Sequence, residues 1–88
     1  MSWTCNLANE AAKQLRRLPH DRRRQLARAI EELTENPMQG DVRPIKSGKF
    51  KGTLRKRVGR YRIIFSVDAS AHRIDIAAIL PRTDNTYR

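Results

Sequence analysis

The sequence predicts a single α+β domain of 88 residues, with a helical hairpin packed on one face of a mostly antiparallel sheet of about four strands. Three observations support this fold class. An alternating segment comes first, two segments with helical spacing of apolar residues follow it, and three strand-like segments come next. Strands that cluster after a pair of helices are typical of α+β domains. A chain of this length holds one hydrophobic core, so residues 1–88 are interpreted as one domain.

The N-terminal segment predicts a strand followed by a helix. Every second residue from Trp3 to Leu7 is apolar, which indicates a short strand over residues 2–7. Apolar residues then recur at helical spacing over residues 8–18. Pro19 ends this helix, because proline disfavours helical backbone in the residue before it.

A second helix is predicted over about residues 22–35, with Asp21 as its N-cap and Asn36-Pro37 at its end. Its apolar stripe is expected to contain Leu26, Ala27, Ile30 and Leu33. Its first turn contains the three consecutive arginines 22–24, where the helix dipole disfavours cations. These arginines are interpreted either as solvated side chains or as a contact for phosphate or an acidic partner.

Three strand-like segments follow a loop that contains Gly40, Pro44 and Gly48. They cover roughly residues 53–58, 60–68 and 73–80. Alternation predicts two sets of side chains that each share a face: Tyr61, Ile63, Phe65 and Val67 in the second segment, and Ile74, Ile76, Ala78 and Leu80 in the third.

The dipeptide Gly59-Arg60 predicts a tight hairpin between the first two of these segments. Glycine at the first central position suits a two-residue type II′ turn. Such a turn sets Val58 opposite Tyr61 and Arg57 opposite Arg62, and opposite residues of an antiparallel pair share a face.

This register places Arg55, Arg57 and Arg62 together on the face that the helices do not cover. Like charges directly across a ladder are destabilising, whereas arginine forks match phosphate oxygens well. The sequence therefore predicts a phosphate site, with a solvated arginine face as the alternative. Lys56 is turned toward the core by the same register, so either its side chain reaches the sheet edge or the register is shifted by one residue.

The charge distribution points to polyanionic partners. The chain has 19 Lys and Arg against 9 Asp and Glu, a formal net charge of +10. Between Arg43 and Arg62 there are nine basic residues and no acidic one. Such a segment is typical of a nucleic-acid-binding surface.

Other features exclude several classes of protein. One cysteine, Cys5, cannot form an internal disulfide, and no apolar run approaches the ~20 residues of a membrane span. We therefore expect a cytoplasmic protein with no membrane partner, in which Cys5 is a buried strand residue. His20 and His72 lack ligand-spaced companions, so no metal or other cofactor is expected.

Four motifs carry a resemblance to a known family. The strongest is the segment Arg55–Phe65, and the others are Ala11–Pro19, Leu33–Pro37 and the C-terminal Ile79–Arg82 with Tyr87-Arg88. In this order and spacing they resemble the RelE/ParE superfamily of bacterial toxins over nearly the whole chain.

The resemblance implies a function and a set of site residues. It implies the toxin of a type II toxin–antitoxin system, a metal-independent endoribonuclease of the RelE branch that cleaves messenger RNA, often in the ribosomal A site. The implied partners are messenger RNA, the ribosome and an acidic cognate antitoxin. The implied catalytic residues are Arg55, Arg57, Arg62, Arg82 and Tyr87, with Tyr87 acting on the 2′-hydroxyl. The expected RNA-binding residues are Lys49, Lys51, Lys56, Arg60 and Arg88.

Two departures from the family pattern concern proton transfer. Pro81 stands where many relatives have histidine, and Arg55 and Arg57 occupy positions that are lysine in some members. Arginine almost never releases its proton, so these side chains suit phosphate binding better than acid–base chemistry. Two alternatives remain open: a DNA gyrase inhibitor of the ParE branch without nuclease activity, and an RNA-binding module without chemistry.

Overall fold

A two-helix hairpin covers one face of a five-stranded sheet in the computed structural model, which describes residues 2–81. The elements are β1 (Thr4–Leu7), α1 (Asn9–Arg17), α2 (His20–Glu35), β2 (Val42–Pro44), β3 (Leu54–Val58), β4 (Tyr61–Asp68) and β5 (Arg73–Pro81). This arrangement confirms the predicted α+β class. Within the described residues, neither helix is long and apolar enough to cross a membrane.

The sheet has the strand order β1-β5-β4-β3-β2. β1 lies parallel to β5, and all other neighbouring strands are antiparallel. β2 is an additional strand, since residues 42–44 were expected in a loop. Three residues are too few to show an alternating pattern, and Pro44 is tolerated because β2 is an edge strand, where one missing N–H need not interrupt a ladder.

The second helix begins earlier than predicted. Its N-cap is Pro19, with extended backbone, and no side chain caps it, so the prediction of Asp21 as N-cap is wrong. Asp21 lies instead in the first turn, where its negative charge complements the helix dipole. The helix ends at Glu35 before Asn36, as predicted.

The main core lies between the helices and the sheet. Its buried members are Ala11, Leu26, Ala29, Leu33, Ile63, Phe65, Ile74, Ile76 and Ile79. Ala29 is buried and Ala27 is exposed, which corrects the predicted stripe. Positions i, i+3 and i+7 from Leu26 share one helix face, whereas the next residue along the chain is turned away by about 100°.

An irregularity in β5 changes which side chains face the helices. Ile64 pairs with Ala78 and the next residue, Phe65, pairs with Ile76, so Ala77 is an extra residue in β5. Such a bulge shifts the two-residue alternation by one position. The prediction that Ile74, Ile76, Ala78 and Leu80 share a face is therefore wrong, because the last two pack on the opposite side of the sheet.

A second, smaller core covers part of the face opposite the helices. Ile45, Ile64 and Ala78 are buried there, and Phe50 packs against them from the segment that joins β2 to β3. The face predicted to be open is thus partly covered by residues 45–53.

The β3–β4 hairpin has the predicted turn and register. Gly59 has φ 57°, and Arg60 does not have a positive φ, as a type II′ turn requires. Val58 lies opposite Tyr61, and Arg57 lies opposite Arg62.

Candidate functional site

Three arginines from adjacent strands form what we call the arginine face: Arg55 and Arg57 of β3 and Arg62 of β4. Arg57 and Arg62 are directly opposed in the ladder, and Arg55 is opposed to Ile64 of the second core. They are less exposed than a solvated surface would be. The side chain of Arg55 is 13% exposed and that of Arg57 is 36% exposed, while Arg62 as a residue is 8% exposed.

The carboxylate of Asp41 joins this face from the residue before β2. Asp41 Oδ1 lies 3.5 Å from Arg55 Nη1 and 3.7 Å from Arg43 Nε, and Asp41 Oδ2 lies 3.7 Å from Arg57 Nε. One acidic side chain therefore lies within ion-pair distance of three arginines. No sequence pattern indicated this contact, although Asp41 is the acidic residue that shortly precedes the basic stretch.

The arginine face retains hydrogen-bonding capacity. Arg55 Nη1 and Arg57 Nε are buried, and neither donates a hydrogen bond within the described part of the chain. Their distances to Asp41 are longer than the 2.7–3.2 Å of an ordinary N–H···O bond. Buried charged donors without acceptors are costly, and a bound anion would supply the missing acceptors.

A shallow cavity adjoins the arginine face. It has a volume of about 220 Å³ and is lined by Pro44, Ile45, Lys46, Ser47 and Arg55. Two of these residues are apolar and three carry polar or charged groups, so the cavity combines apolar surface with groups that can form hydrogen bonds.

Lys56 is separated from the arginine face, although it was predicted to bind RNA beside it. It lies on the helix-covered side of β3 and is only 4% exposed. Its Nζ lies 3.4 Å from Glu32 Oε1 and 3.3 Å from the carbonyl oxygen of Gln39. The register is therefore the predicted one, and an ion pair with the helical layer accommodates the lysine.

The other predicted RNA-binding residues that the structure describes lie at the margins of the arginine face. Lys49 and Lys51 are exposed on the segment that joins β2 to β3, and Arg60 is exposed in the hairpin turn. Lys49 Nζ lies 5.5 Å from the centre of the Phe50 ring. Arg82, Tyr87 and Arg88 lie outside the described residues.

The arginine cluster of α2 has at least one local structural role. Arg23 Nη2 donates hydrogen bonds to the carbonyl oxygens of Arg16, at 3.4 Å, and Leu18, at 3.3 Å. It therefore caps the C-terminal end of α1, where a cation is favourable. Arg22 and Arg24 are exposed, and the choice between solvation and a partner contact stays a prediction for them.

Two groups away from the arginine face have shifted pKa values. Burial, helped by the negative charge of Asp75, raises the pKa of the half-buried Cys5 thiol, which favours the unreactive protonated form. Hydrogen bonds from Ser70 and Ala71 lower the pKa of Asp68 in the β4–β5 turn. Within residues 2–81, no three His, Cys, Asp or Glu side chains converge on a possible metal position.

Sequence comparison finds one informative match. The family described as the ParE toxin of type II toxin–antitoxin system parDE matches residues 6–86. No curated protein matches the chain in sequence.

Several solved structures are similar to the chain over nearly its whole length. A chain of the archaeal RelE–RelB complex from Pyrococcus horikoshii OT3 is 26% identical, with a TM-score of 0.79 over 96% of this chain and 99% of that chain. The RelBE2 toxin–antitoxin complex from Mycobacterium tuberculosis contains a chain that is 24% identical, with a TM-score of 0.72 and coverages of 93% and 100%. The isolated RelE toxin of E. coli is 16% identical, with a TM-score of 0.74 and coverages of 94% and 89%.

Proposed function

The chain belongs to the ParE toxin family of type II toxin–antitoxin systems, and we propose that it acts as an endoribonuclease on messenger RNA. The observation that carries the proposal is the arginine face, on which Arg55, Arg57 and Arg62 converge with guanidinium groups that are buried or partly buried. A sheet gains nothing from opposing two arginines, so we attribute their position to an anionic ligand. Among the anions that such a face fits, the phosphodiester of RNA also agrees with the extended basic stretch.

The proposed reaction uses the RNA's own nucleophile. The 2′-hydroxyl attacks the adjacent phosphorus and the bond to the 5′-oxygen breaks, which leaves a 2′,3′-cyclic phosphate and a 5′-hydroxyl. The three guanidinium groups bind the non-bridging oxygens and stabilise the charge that develops on them. Removing one such donor from an enzyme lowers the rate by about 10²- to 10³-fold.

Proton transfer falls to other groups, because arginine keeps its proton. We assign Tyr87 as the base that accepts the proton of the 2′-hydroxyl and Lys49 or Lys51 as the acid that protonates the leaving 5′-oxygen. Arg82 completes the set of phosphate ligands, and Arg60 and Arg88 contact the flanking backbone. A dependence on the 2′-hydroxyl restricts the activity to RNA.

The partners follow from the family and the charge. The similar structures include a RelE–RelB complex from Pyrococcus horikoshii and the toxin–antitoxin complex RelBE2 from Mycobacterium tuberculosis, and a cognate antitoxin is the partner of this chain as well. We propose that the antitoxin is acidic and covers the arginine face. We propose further that the ribosome completes the site, since the described residues supply charge stabilisation more readily than proton transfer.

The test is primer extension on a message in a purified translation system. We expect new 5′ ends in the message with the wild type and none with an Arg62→Ala/Tyr87→Phe double variant. Lys56→Met is the matched control, because Lys56 neighbours Arg57 in sequence but lies on the other side of the sheet, and it should cleave like the wild type. An intact message with the wild type would contradict the proposal.

Inhibition of DNA gyrase is the second candidate, favoured by the family description that matches the chain. A supercoiling assay with purified gyrase separates the two functions. A gyrase inhibitor should stop supercoiling and should tolerate Tyr87→Phe, since it transfers no proton from a 2′-hydroxyl. A ribonuclease should leave supercoiling unchanged and should lose cleavage on the same substitution.

A further inference from the structure

The position of Asp41 suggests a role beyond neutralising charge. Its two carboxylate oxygens lie 3.5–3.7 Å from guanidinium nitrogens of Arg43, Arg55 and Arg57, so the carboxylate lies against two of the arginines to which the proposed phosphate would bind. All three distances exceed those of a charge-assisted hydrogen bond, which are about 2.7–2.9 Å. Asp41 is therefore close enough to compete with another anion and too distant to satisfy the arginine donors fully.

The surroundings of Asp41 allow its side chain to leave without moving the backbone. The Asp41 carbonyl oxygen accepts a hydrogen bond from the backbone N–H of Arg57, at 3.0 Å, which holds the main chain against β3. The side chain, in contrast, is 42% exposed. Rotation about its side-chain bonds would carry the carboxylate into water and open the arginine donors to a ligand.

We propose that Asp41 is an internal anion that holds the phosphate position of the arginine face in the unbound protein and is displaced when an RNA phosphate binds. This inference rests on the part of the proposed function that assigns phosphate binding to the arginine face, and it does not require cleavage. Asp41 thereby keeps Arg55 and Arg57 paired in the free protein and lowers the affinity for RNA, because its negative charge opposes the phosphate.

The experiment compares Asp41→Asn with the wild type in binding a 2′-O-methyl RNA oligonucleotide, which cannot be cleaved by its own 2′-hydroxyl. At constant ionic strength we expect Asp41→Asn to bind about tenfold more tightly, since a like charge within a few ångströms of the phosphate has been removed. Asp21→Asn is the matched control, because it removes the same charge from an exposed position on α2, and its affinity should stay within about twofold of the wild type. Equal or weaker binding by Asp41→Asn would overturn the proposal and make Asp41 a residue that positions the arginines.

A measurement on the wild type tests the displacement of Asp41 even if the Asp41→Asn variant does not fold. In an NMR titration with inorganic phosphate, the side-chain carboxyl resonance of Asp41 and the Nε–H resonances of Arg55 and Arg57 should shift together. Arginine shifts without a change at Asp41 would refute displacement. Because this probe contains no RNA, a protein that binds phosphate but cuts no message would contradict the proposed ribonuclease and leave the role of Asp41 supported.

Discussion

At the scale of single residues, two neighbours in the sequence have opposite environments. Arg57 contributes to the arginine face, whereas Lys56 crosses to the helix-covered side and is almost fully buried. A buried ammonium group is tolerable only with partners, and Glu32 and the Gln39 carbonyl provide them. Lys56 therefore stabilises the contact between α2 and the sheet. Substitutions at this contact should change the free energy of unfolding without changing the arginine face.

Replacing Glu32 with alanine should destabilise the protein by about 1–2 kcal/mol, because the buried Lys56 loses its charged partner. The free energy of unfolding in urea measures this effect. Glu31→Ala is the control, since Glu31 is the exposed neighbour on the same helix. In the Lys56→Met background the Glu32→Ala substitution should have almost no effect. A loss that persists in this background would show that Glu32 acts through another contact.

At the scale of elements, the β3–β4 hairpin determines the geometry of the arginine face. Gly59 has a positive φ that other residues adopt at a cost, and a Cβ added there would lie 2.8 Å from Gln25 Nε2. Because the Gln25 side chain can move aside, backbone strain would cost more than this steric clash. Gly59→Ala should therefore lower the free energy of unfolding by about 1–2 kcal/mol.

Arg60→Ala, in the same turn but without a positive φ, is the control for Gly59→Ala. It should unfold like the wild type. A Gly59→Ala protein of unchanged stability would mean that the turn accepts another conformation, and the opposition of Arg57 to Arg62 would then have to be re-examined by NMR.

The β4–β5 turn gives a prediction about pH. Hydrogen bonds from Ser70 Oγ, at 2.8 Å, and Ala71 N, at 3.1 Å, lower the pKa of Asp68. A carboxylate whose pKa is lower in the folded state stabilises the protein above its unfolded pKa, and this contribution is lost as the pH falls through the folded pKa. Asp68→Asn should therefore destabilise the protein at neutral pH, and this effect should diminish as the pH is lowered through the folded-state pKa of Asp68.

Unfolding in urea over a series of pH values from neutral to acidic measures the contribution of Asp68. Asparagine keeps the oxygen that accepts both hydrogen bonds, so the substitution removes the charge and little else. A difference from the wild type that stays constant with pH would assign the loss to packing in the turn and would contradict the electrostatic explanation.

At the scale of the whole molecule, charge is concentrated where the phosphate site is proposed. The formal net charge is +10, and the stretch from Arg43 to Arg62 contains no acidic residue. For a single-stranded RNA, each phosphate contact contributes about −0.7 to the slope of log affinity against log salt concentration. Arg57→Gln should therefore make the slope less negative by about 0.7, as measured by fluorescence anisotropy.

Arg24→Gln is the control for this salt dependence, because Arg24 is exposed on the helical layer. An equal change with Arg24→Gln would show that RNA binds through the general charge of the protein. It would also support the interpretation that the α2 arginines contact phosphate.

Nearly the whole chain shares its fold with RelE structures of low sequence identity. The predicted resemblance to the RelE/ParE superfamily is confirmed by a family match over residues 6–86 and by RelE structures that share the fold at 16–26% identity. At such identities few side chains are retained, and what persists is the order of elements and their packing. Function among relatives with this fold therefore depends on the residues placed on it.

Local rules were sufficient to predict both helices, apart from the start of α2, the existence of the three long strands and the β3–β4 register. A two-residue turn sets its own register, and alternation then assigns Arg55, Arg57 and Arg62 to one face. Only the tertiary structure decided the bulge at Ala77, the second core under residues 45–53 and the approach of Asp41 to the arginines. The physical reason is the range of the interactions. These features depend on packing between segments that are distant along the chain, so they cannot be predicted from the pattern within any single segment.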